Sequence, residues 1–477
     1  MKKILGILIF ICLFFNNIAA ADFYADHMLR FNKWLSDNGH DQYLDKESDK
    51  VGFQLDRSVC KDNAVTKDIH IVKKCYGADG SIIPNSDLKF EKIYPNNLNI
   101  KINKKKNNLD YESNPNRDTL IYYLWNYSYY PREELREFKS KNNSYDFKFN
   151  LIEDKYVKRQ MKTKGILSYL YYQDGEVLID EFSPKERLGK FLNNETKFYS
   201  MSMGKSVTSY ILGHAICDGF IDGVDAKIND WPVIKNTLYH NQKLIDFLNM
   251  STGDQKYIND FLINNGSVVK DSSYFYEGNS IFNTAKSFLK GSVKSKSEYY
   301  YNGFVTQLIL NYIKFKTGED YDKLYSKIFN DKVKIKHSIF YGRLNSPKQD
   351  GNEHPNISST RFDYLRLAKA IMEDYQNDTC VGKYLKEIHK RRIPKKYNEN
   401  KNEPEFNRTK SYGGQFHMDY PGLRNRIVFG MGGYGGQAIL IDVENSRIVV
   451  LNSLHYNNSR YKYNVKKLLI DPIKNGK

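Results

Sequence analysis

Two apolar stretches, far apart in the chain, have the pattern of β-hairpins and strongly restrict the folds that it can adopt. The first, GILSYLYYQDGEVLIDE (165–181), turns at Gln173-Asp174-Gly175. An Asp-Gly pair between apolar runs is a typical hairpin turn. The second, QAILIDVENSRIVVLNS (437–453), turns at Glu444 to Ser446. Each stretch therefore predicts a pair of antiparallel strands.

Between these hairpins, apolar residues follow the helical period of 3.6 residues rather than the two-residue period of strands. The clearest helical stretches are 207–216, 244–250 and 304–315. Strands at both ends predict an α/β (α+β) fold with one antiparallel sheet, flanking helices and an inserted helical subdomain. We assign residues 151–477 to this domain and residues 22–150 to an N-terminal region of unknown role.

The N-terminus, MKKILGILIFICLFFNNIAAADF, has the layout of a secretory signal peptide. Two lysines precede an apolar run from Ile4 to Phe15, and the alanines at 19–21 match a cleavage site. We therefore expect removal of residues 1–21 and secretion, into a periplasm. The alternative is an uncleaved anchor. No later segment reaches the length of a transmembrane helix.

Four cysteines follow the signal peptide: Cys60, Cys75, Cys217 and Cys380. Cys60 and Cys75 are close enough in sequence to form a disulfide in an oxidising compartment. Cys217 falls in an apolar helix, where we expect a small buried side chain. The sequence has no CxxC pair, HExxH motif or histidine cluster, so we expect no metal ion and no cofactor.

The formal net charge of the chain is +17. Such a charge favours anionic partners, among them nucleic acid, membranes and cell-wall polymers. The positive residues are mostly scattered, although Lys104-Lys105-Lys106 form one short run, and no nucleic-acid-binding module is recognisable. We therefore expect a solvated basic surface without a nucleic-acid partner, and contact with anionic cell-wall polymers stays open.

Ser202 and Lys205 form a Ser-x-x-Lys motif within FYSMSMGKSVTSYILGHAICDGF. At this spacing on a helix, the amine faces the hydroxyl and can take the proton that a serine nucleophile must lose. The spacing recurs at Ser58/Lys61, Ser86/Lys89, Ser267/Lys270, Ser287/Lys290 and Ser459/Lys462. Only Ser202/Lys205 opens a long helix with a continuous apolar face. We therefore predict Ser202 as the nucleophile and Lys205 as its base.

The sequence around this motif resembles the penicillin-binding-protein/β-lactamase superfamily of serine hydrolases. SMSMGKSVTS is followed in family order by LIDFLNMSTG, YNGFVTQLILNYIKFKTG, ISSTRFDYLRLAKAI and FGMGGYGGQAILIDVENSRIVVL. These stretches lie within 165–455 and are most similar to the class C-like branch of esterases and 6-aminohexanoate-dimer hydrolases. The resemblance implies a β-lactamase/transpeptidase-like fold and an acyl-enzyme formed on Ser202.

The resemblance also implies a tyrosine that passes a proton to the leaving group. In relatives it opens a Tyr-x-Asn motif, which a helix and a Thr-Gly pair follow. Counting back from Thr317-Gly318 selects Tyr301, whereas a literal Tyr-x-Asn selects Tyr300 with Asn302. We favour Tyr301. Gly303 then occupies the position of the family's asparagine, and Asn302 lies one place early, so substrate binding by its amide is in question.

A third family element is a strand with a polar residue, any residue and glycine, which we assign to Tyr434-Gly435-Gly436 before Gln437. Glycines let the strand edge approach a substrate. By resemblance, the backbone N–H groups of Ser202 and Gln437 form the oxyanion hole, each contributing about 3 kcal/mol to transition-state stabilisation. True β-lactamases have a lysine where this chain has Tyr434. Arg424 or Arg426 is a candidate replacement for its charge.

Together these features predict an exported serine hydrolase that cleaves a small-molecule ester or amide through an acyl-enzyme. One alternative is a cell-wall D-Ala carboxypeptidase or β-lactamase, which would release D-alanine from a peptidoglycan pentapeptide mimic. The other is a non-catalytic, penicillin-binding-like sensor module, which would be acylated without release. The presence of Ser202, Lys205 and a candidate tyrosine argues against the sensor.

We predict weak or no β-lactamase activity, because the phenol of Tyr434 can donate a hydrogen bond but supplies no positive charge for the drug's carboxylate. The measurement is the rate at which purified protein hydrolyses a chromogenic cephalosporin. Efficient hydrolysis would overturn this substrate assignment.

Overall fold

The computed structural model describes most of the chain from residue 134 onward. Its described ranges are 134–188, 192–255, 289–343, 353–395, 409–454 and 463–477, with the single residues Leu120, Tyr257, Ile281 and Ala285. It also describes short strands that pair as β1–β4, β2–β3 and β5–β6: β1 (Ser58–Val59), β2 (Val65–Thr66), β3 (Cys75–Tyr76), β4 (Lys89–Phe90), β5 (Ile102–Asn103) and β6 (Asn108–Leu109). Within this described part, no helix has the length and apolar character needed to cross a membrane.

The strands from residue 134 onward form two larger sheets. They are β7 (Glu134–Phe138), β8 (Lys148–Phe149), β9 (Ile166–Gln173), β10 (Glu176–Phe182), β11 (Lys197–Tyr199), β12 (Ile339–Arg343), β13 (Glu353–Thr360), β14 (Ile393–Pro394), β15 (Ser411–Gly413), β16 (Phe416–Met418), β17 (Val428–Gly433), β18 (Gln437–Asp442) and β19 (Arg447–Ser453). The main sheet has the order β14-β15-β16-β17-β18-β19-β9-β10-β8, and the smaller sheet has the order β11-β13-β12-β7. The described pairs are antiparallel except β8 with β10.

The hairpin predicted at 165–181 is confirmed. β9 and β10 pair with Gln173 opposite Glu176. The two residues between them, Asp174 and Gly175, have φ angles of 48° and 97°. A two-residue turn with positive φ at both positions strongly favours Asp-Gly, so the local sequence sets the register of this hairpin.

Strands from the two ends of the domain meet inside the main sheet, as predicted. β19 pairs with β9 in an antiparallel register that places Val449 opposite Tyr171. Nearly every residue of β9, β18 and β19 is buried, because both faces of the sheet are covered. Near-continuous apolar runs are typical of strands buried on both faces.

Helices pack on both faces of the main sheet. They are α1 (Lys155–Thr163), α2 (Lys185–Leu188), α3 (Met203–Cys217), α4 (Leu244–Leu248), α5 (Gly303–Thr317), α6 (Tyr321–Ser326), α7 (Arg361–Gln376), α8 (Cys380–Lys390) and α9 (Asp471–Asn475), with 3₁₀ turns at Pro232–Ile234 and Gly318–Asp320 and π-helical turns at Lys327–Val333 and Lys466–Ile470. Residues of α1 and α9 share one core with Tyr169 and Tyr171, while residues of α3 and α7 share the other with Leu170. Helices α4 to α6 lie between β11 and β12 in the chain and form the inserted helical part.

Helix α3 is buried from Met203 to Ala215. The sequence predicts that Ser202 and Lys205 lie in the first turn of this helix, and its apolar period begins at Val207. Burial of that first turn is a property of the packing around it. The helix therefore begins inside the protein, with its N-terminal end at the junction of the two sheets.

Cys217 and Cys380 form a disulfide, with 5.8 Å between their Cα atoms. The expectation that Cys217 is only a small buried side chain was wrong. The bond joins the last residue of α3 to the first residue of α8, and 163 residues separate the two cysteines, so no local pattern reveals it. The proposed Cys60–Cys75 bond lies outside the described residues.

We predict that replacing both cysteines, Cys217→Ala with Cys380→Ala, lowers the free energy of unfolding by about 2–5 kcal/mol, because closure of a long loop constrains the unfolded chain. Urea denaturation of the oxidised protein and the double variant measures the difference. Wild-type protein unfolded with a reductant is the control and should match the double variant. Equal midpoints for oxidised wild type and variant would contradict the assignment of this bond.

Candidate active site

Ser202 follows a sharp turn between β11 and α3. β11 ends at Tyr199 and α3 begins at Met203. Met201 has a φ of 48°, a left-handed conformation that is unfavourable for a residue with a side chain and persists only where its surroundings enforce it. The turn is anchored by β13: the N–H of Ser200 donates to Ile357 O at 2.7 Å, and its Oγ accepts from Ile357 N at 2.9 Å.

The structure brings Ser202 and Lys205 together. Lys205 Nζ donates a hydrogen bond to Ser202 Oγ at 3.1 Å. Lys205 is buried and Ser202 is half-buried, so the pair lies largely beneath the surface. Residues one helical turn apart share a face, which explains the contact from the Ser-x-x-Lys spacing alone.

The first turn of α3 packs closely against both sheets. A Cβ on Gly204 would overlap the carbonyl oxygen of Pro355 in β13, so this helix position requires glycine. On the other side, Ser206 Oγ donates to Gln415 O at 2.6 Å, which ties the helix to the turn between β15 and β16. These contacts fix the position of the Ser202–Lys205 pair.

Tyr301 lies beside this pair. Its ring centroid is 5.3 Å from Lys205 Nζ, and the residue is 38 % exposed. Its neighbours in the chain make other contacts: Tyr300 N donates to Met250 O at 2.8 Å, and the Tyr299 ring packs 5.2 Å from that of Tyr412. The ring beside Lys205 is thus that of Tyr301, the tyrosine favoured from the sequence.

Asn302 is buried and caps helix α5. Its Oδ1 accepts a hydrogen bond from Val305 N at 3.0 Å, and its Nδ2 donates to the carboxylate of Asp254 at 3.2 and 3.4 Å. The amide that the sequence suggested for substrate binding is therefore engaged on both sides by the protein.

Gly433, which the sequence assignment passed over, lies in close contact with the turn that precedes Ser202. A Cβ at this position would lie 2.5 Å from Ser200 O. Gly436, by contrast, has its carbonyl bonded to Tyr463 Oη at 2.7 Å, and the Gln437 side chain is buried against Ser453. The sequence did offer a signal for this position: the Gly432-Gly433 pair, which precedes the Gly435-Gly436 pair in GMGGYGGQ.

Tyr434 occupies the turn between β17 and β18 and is 37 % exposed. The turn is closed by Gly436 N donating to Gly433 O at 3.1 Å, and Gly435 has a φ of 85° that suits glycine. Gln437 pairs with Gly433 across this hairpin, so its peptide group lies within the ladder. Arg426 is held at the opposite end of β18 by Asp442 at 3.1 Å.

A buried layer of polar and aromatic residues lies behind Tyr301. The ring of His417 stacks on Tyr301 at 6.4 Å, and its Nδ1 is 2.9 Å from Lys395 Nζ. Burial first, and then the charges of Lys395 and Lys205, hold the pKa of His417 well below its usual range. Because a lysine ammonium only donates, Nδ1 accepts and the proton of the neutral ring is on Nε2. No sequence motif marks His417.

Sequence comparison gives no relative: no family model matches the chain, and no curated protein matches it significantly. Solved structures do match its fold. A Bacillus anthracis protein described as a 6-aminohexanoate-dimer hydrolase gives a TM-score of 0.53 at 14% identity, over 78% of this chain and 98% of its own. FmtA from Staphylococcus aureus gives 0.45 at 17% identity, over 68% and 88%.

A penicillin-binding protein homologue from Caulobacter crescentus gives a TM-score of 0.45 at 13% identity, over 65% of this chain and 95% of its own. At such identities the likeness concerns the fold, and the first structure alone of these three exceeds a TM-score of 0.5. This match agrees with the architecture described above: a largely antiparallel sheet covered by helices, with the helices α4 to α6 inserted after α3. The chain therefore has a β-lactamase/transpeptidase-like fold.

Proposed function

We propose that this protein is a serine hydrolase that cleaves an ester or amide through an acyl-enzyme on Ser202. The observation that carries the proposal is the 3.1 Å contact between Lys205 Nζ and Ser202 Oγ at the buried start of α3, with the Tyr301 ring beside the lysine. A nucleophile, an adjacent base and a third polar group in mutual reach are the parts that acyl transfer requires.

In this mechanism Lys205 accepts the Oγ proton as Ser202 attacks the substrate carbonyl carbon. The tetrahedral intermediate collapses when the bond to the leaving group breaks, and Tyr301 donates a proton to that group. Lys205 returns the proton to Tyr301. Water then attacks the acyl-enzyme by the reverse relay, which releases the acid and restores the hydroxyl of Ser202.

The oxyanion hole of this proposal uses two backbone N–H groups. One belongs to Ser202, as the sequence predicts. For the second, Tyr434 fits better than Gln437, because Tyr434 directly follows Gly433, whose backbone lies against Ser200, whereas Gln437 lies within the β17–β18 ladder. Each such donor stabilises the developing charge by about 3 kcal/mol.

The surroundings of the pair favour a neutral substrate group at Tyr434. The phenol supplies no positive charge, Arg426 is bonded to Asp442 away from the site, and the Asn302 amide is engaged by Asp254. A short ester or amide needs none of these groups. The D-Ala carboxypeptidase reading remains the second candidate, because an exported basic protein would meet peptidoglycan.

Export is part of this proposal. The predicted signal peptide over residues 1–21 supplies the targeting argument. The Cys217–Cys380 disulfide supports it, because structural disulfides persist in oxidising compartments and are rare in reducing ones.

We predict that Ser202→Ala abolishes covalent labelling by a fluorophosphonate probe, because no other oxygen occupies the position of the nucleophile. Gel fluorescence and intact mass spectrometry measure the adduct. Ser459→Ala, which disrupts another Ser-x-x-Lys match, is the control and should label like wild type. Undiminished labelling of Ser202→Ala would exclude this serine. A panel of short acyl esters, 6-aminohexanoate oligomers and a D-Ala pentapeptide mimic then assigns the substrate.

We predict that Gly433→Ala lowers kcat by about a hundredfold while the protein stays folded, because the added Cβ pushes the turn away from Ser200 and misplaces the hole. Ester hydrolysis and thermal unfolding are measured together. Gly219→Ala at the far end of α3 is the control: its Cβ would meet open space, and its φ of 81° strains the backbone away from the site, so it should lower stability and keep kcat. Wild-type kcat in Gly433→Ala would rule out this glycine hairpin as the wall of the site.

A further inference from the structure

The carboxylate of Asp254 is almost completely buried, with the residue at 1 % exposure. It accepts a hydrogen bond from Asn302, the residue that follows Tyr301 in the chain. Tyr239 Oη donates to its Oδ2 at 2.8 Å, and Asn302 Nδ2 donates to both carboxylate oxygens at 3.2 and 3.4 Å. Burial raises the pKa of Asp254, while the hydrogen bonds from Tyr239 and Asn302 oppose that rise. A buried carboxylate is unfavourable unless its hydrogen bonds compensate, so these two donors offset part of the cost of burying Asp254.

The Asn302 amide is oriented by partners at both of its ends. Its Oδ1 accepts from Val305 N at 3.0 Å, the usual geometry of an N-cap, and its Nδ2 is directed at Asp254. Exchanging the two ends would place an NH₂ group against an N–H donor. The contacts therefore allow one orientation only, and Tyr301 is the residue bonded directly to Asn302 in the chain.

The backbone around Asp254 holds the same segment. Gly253 O accepts from Ser295 N at 3.0 Å and from Ser295 Oγ at 2.7 Å, and Met250 O accepts from Tyr300 N at 2.8 Å. Residues 250–254 thus contact the chain on the N-terminal side of Tyr301, and the Asp254 side chain anchors it on the C-terminal side.

Within the described part of the chain, the Tyr301 side chain makes ring and cation contacts only. Its ring lies 5.3 Å from Lys205 Nζ, 6.2 Å from the Tyr412 centroid and 6.4 Å from the His417 centroid, and more than a third of the residue is exposed. Ring and cation–π contacts of this kind contribute only about 0.5–1.5 kcal/mol each. The position of the phenol is therefore set chiefly by the backbone on both sides of it.

We propose that Asp254 is a positioning residue that acts through Asn302 to hold Tyr301 against Lys205. This inference rests on the proposed relay role of Tyr301. In this chain the asparagine after the tyrosine serves to connect the relay to a buried carboxylate, and the carboxylate never touches substrate. The connection needs an acceptor for Asn302 Nδ2 and does not need a negative charge.

The first test is Asn302→Ser, which keeps an N-cap oxygen for Val305 but removes the donor to Asp254. We expect kcat for ester hydrolysis to fall by about ten- to a hundredfold, with KM changed less than about threefold, because a misplaced relay slows chemistry rather than binding. Tyr239→Phe is the matched control. It removes a hydrogen bond from the same carboxylate and leaves Asn302 in place, so it should lower stability and keep kcat.

The second test repeats Asn302→Ser in a Tyr301→Phe background. If Asn302 acts through the relay, the double variant should be no slower than Tyr301→Phe alone. An equal fold-loss in both backgrounds would indicate a general structural effect and overturn the inference, as would wild-type kcat in Asn302→Ser. Wild-type kcat in Tyr301→Phe would instead refute the relay, and with it this part of the proposed function.

Asp254→Asn provides an independent measurement if Asn302→Ser does not fold. The isosteric amide keeps an oxygen for Asn302 Nδ2 and can donate to the Tyr239 hydroxyl. We expect kcat within about threefold of wild type, because the positioning contact survives. A fall as large as that of Tyr301→Phe would show that the carboxylate acts by its charge and would overturn the positioning role.

Discussion

The geometry of the site depends on the turn between β11 and α3, where one short segment is fixed by both sheets at once. Ser200 exchanges two hydrogen bonds with Ile357 of the smaller sheet, and Gly433 of the main sheet lies against its carbonyl oxygen. Met201, the next residue in this turn, has a left-handed φ of 48°. Such a conformation persists because the surrounding backbone over-determines it, and it delivers Ser202 to the first turn of a buried helix.

Three segments that are remote in sequence converge on this turn. Lys205 comes with the helix itself, Tyr301 comes from the start of α5, and the glycine hairpin comes from the far end of the chain. None of the three relies on flexible surface contacts: Lys205 is buried, the residue after Tyr301 is anchored to Asp254, and Gly433 touches backbone. Groups that are already held in place need little rearrangement to reach the transition state, and acyl transfer depends on such preorganisation.

Features of the fold that depend on neighbouring residues could be predicted from the sequence. The Asp174-Gly175 hairpin, the extent of α5 to within two residues, and the pairing of both ends in one sheet were all expected and confirmed. The Ser202–Lys205 contact also follows from spacing, because three residues on a helix fix which side chains share a face. The start of α3 at the Ser202–Lys205 motif was also expected and is observed.

Contacts between remote residues were the ones that the sequence left undetermined. The Cys217–Cys380 bond, the stacking of His417 on Tyr301 and the anchoring of Asn302 by Asp254 each join segments whose separation in the chain carries no periodic signal. The choice between the glycines of GMGGYGGQ also needed the distance to Ser200. The sequence by itself predicted the two hairpins, the helices α3, α4 and α5 and the pairing of Ser202 with Lys205, because these follow from local period and spacing. Only the tertiary structure decided which tyrosine, glycine and buried carboxylate surround them, because packing alone brings those residues together.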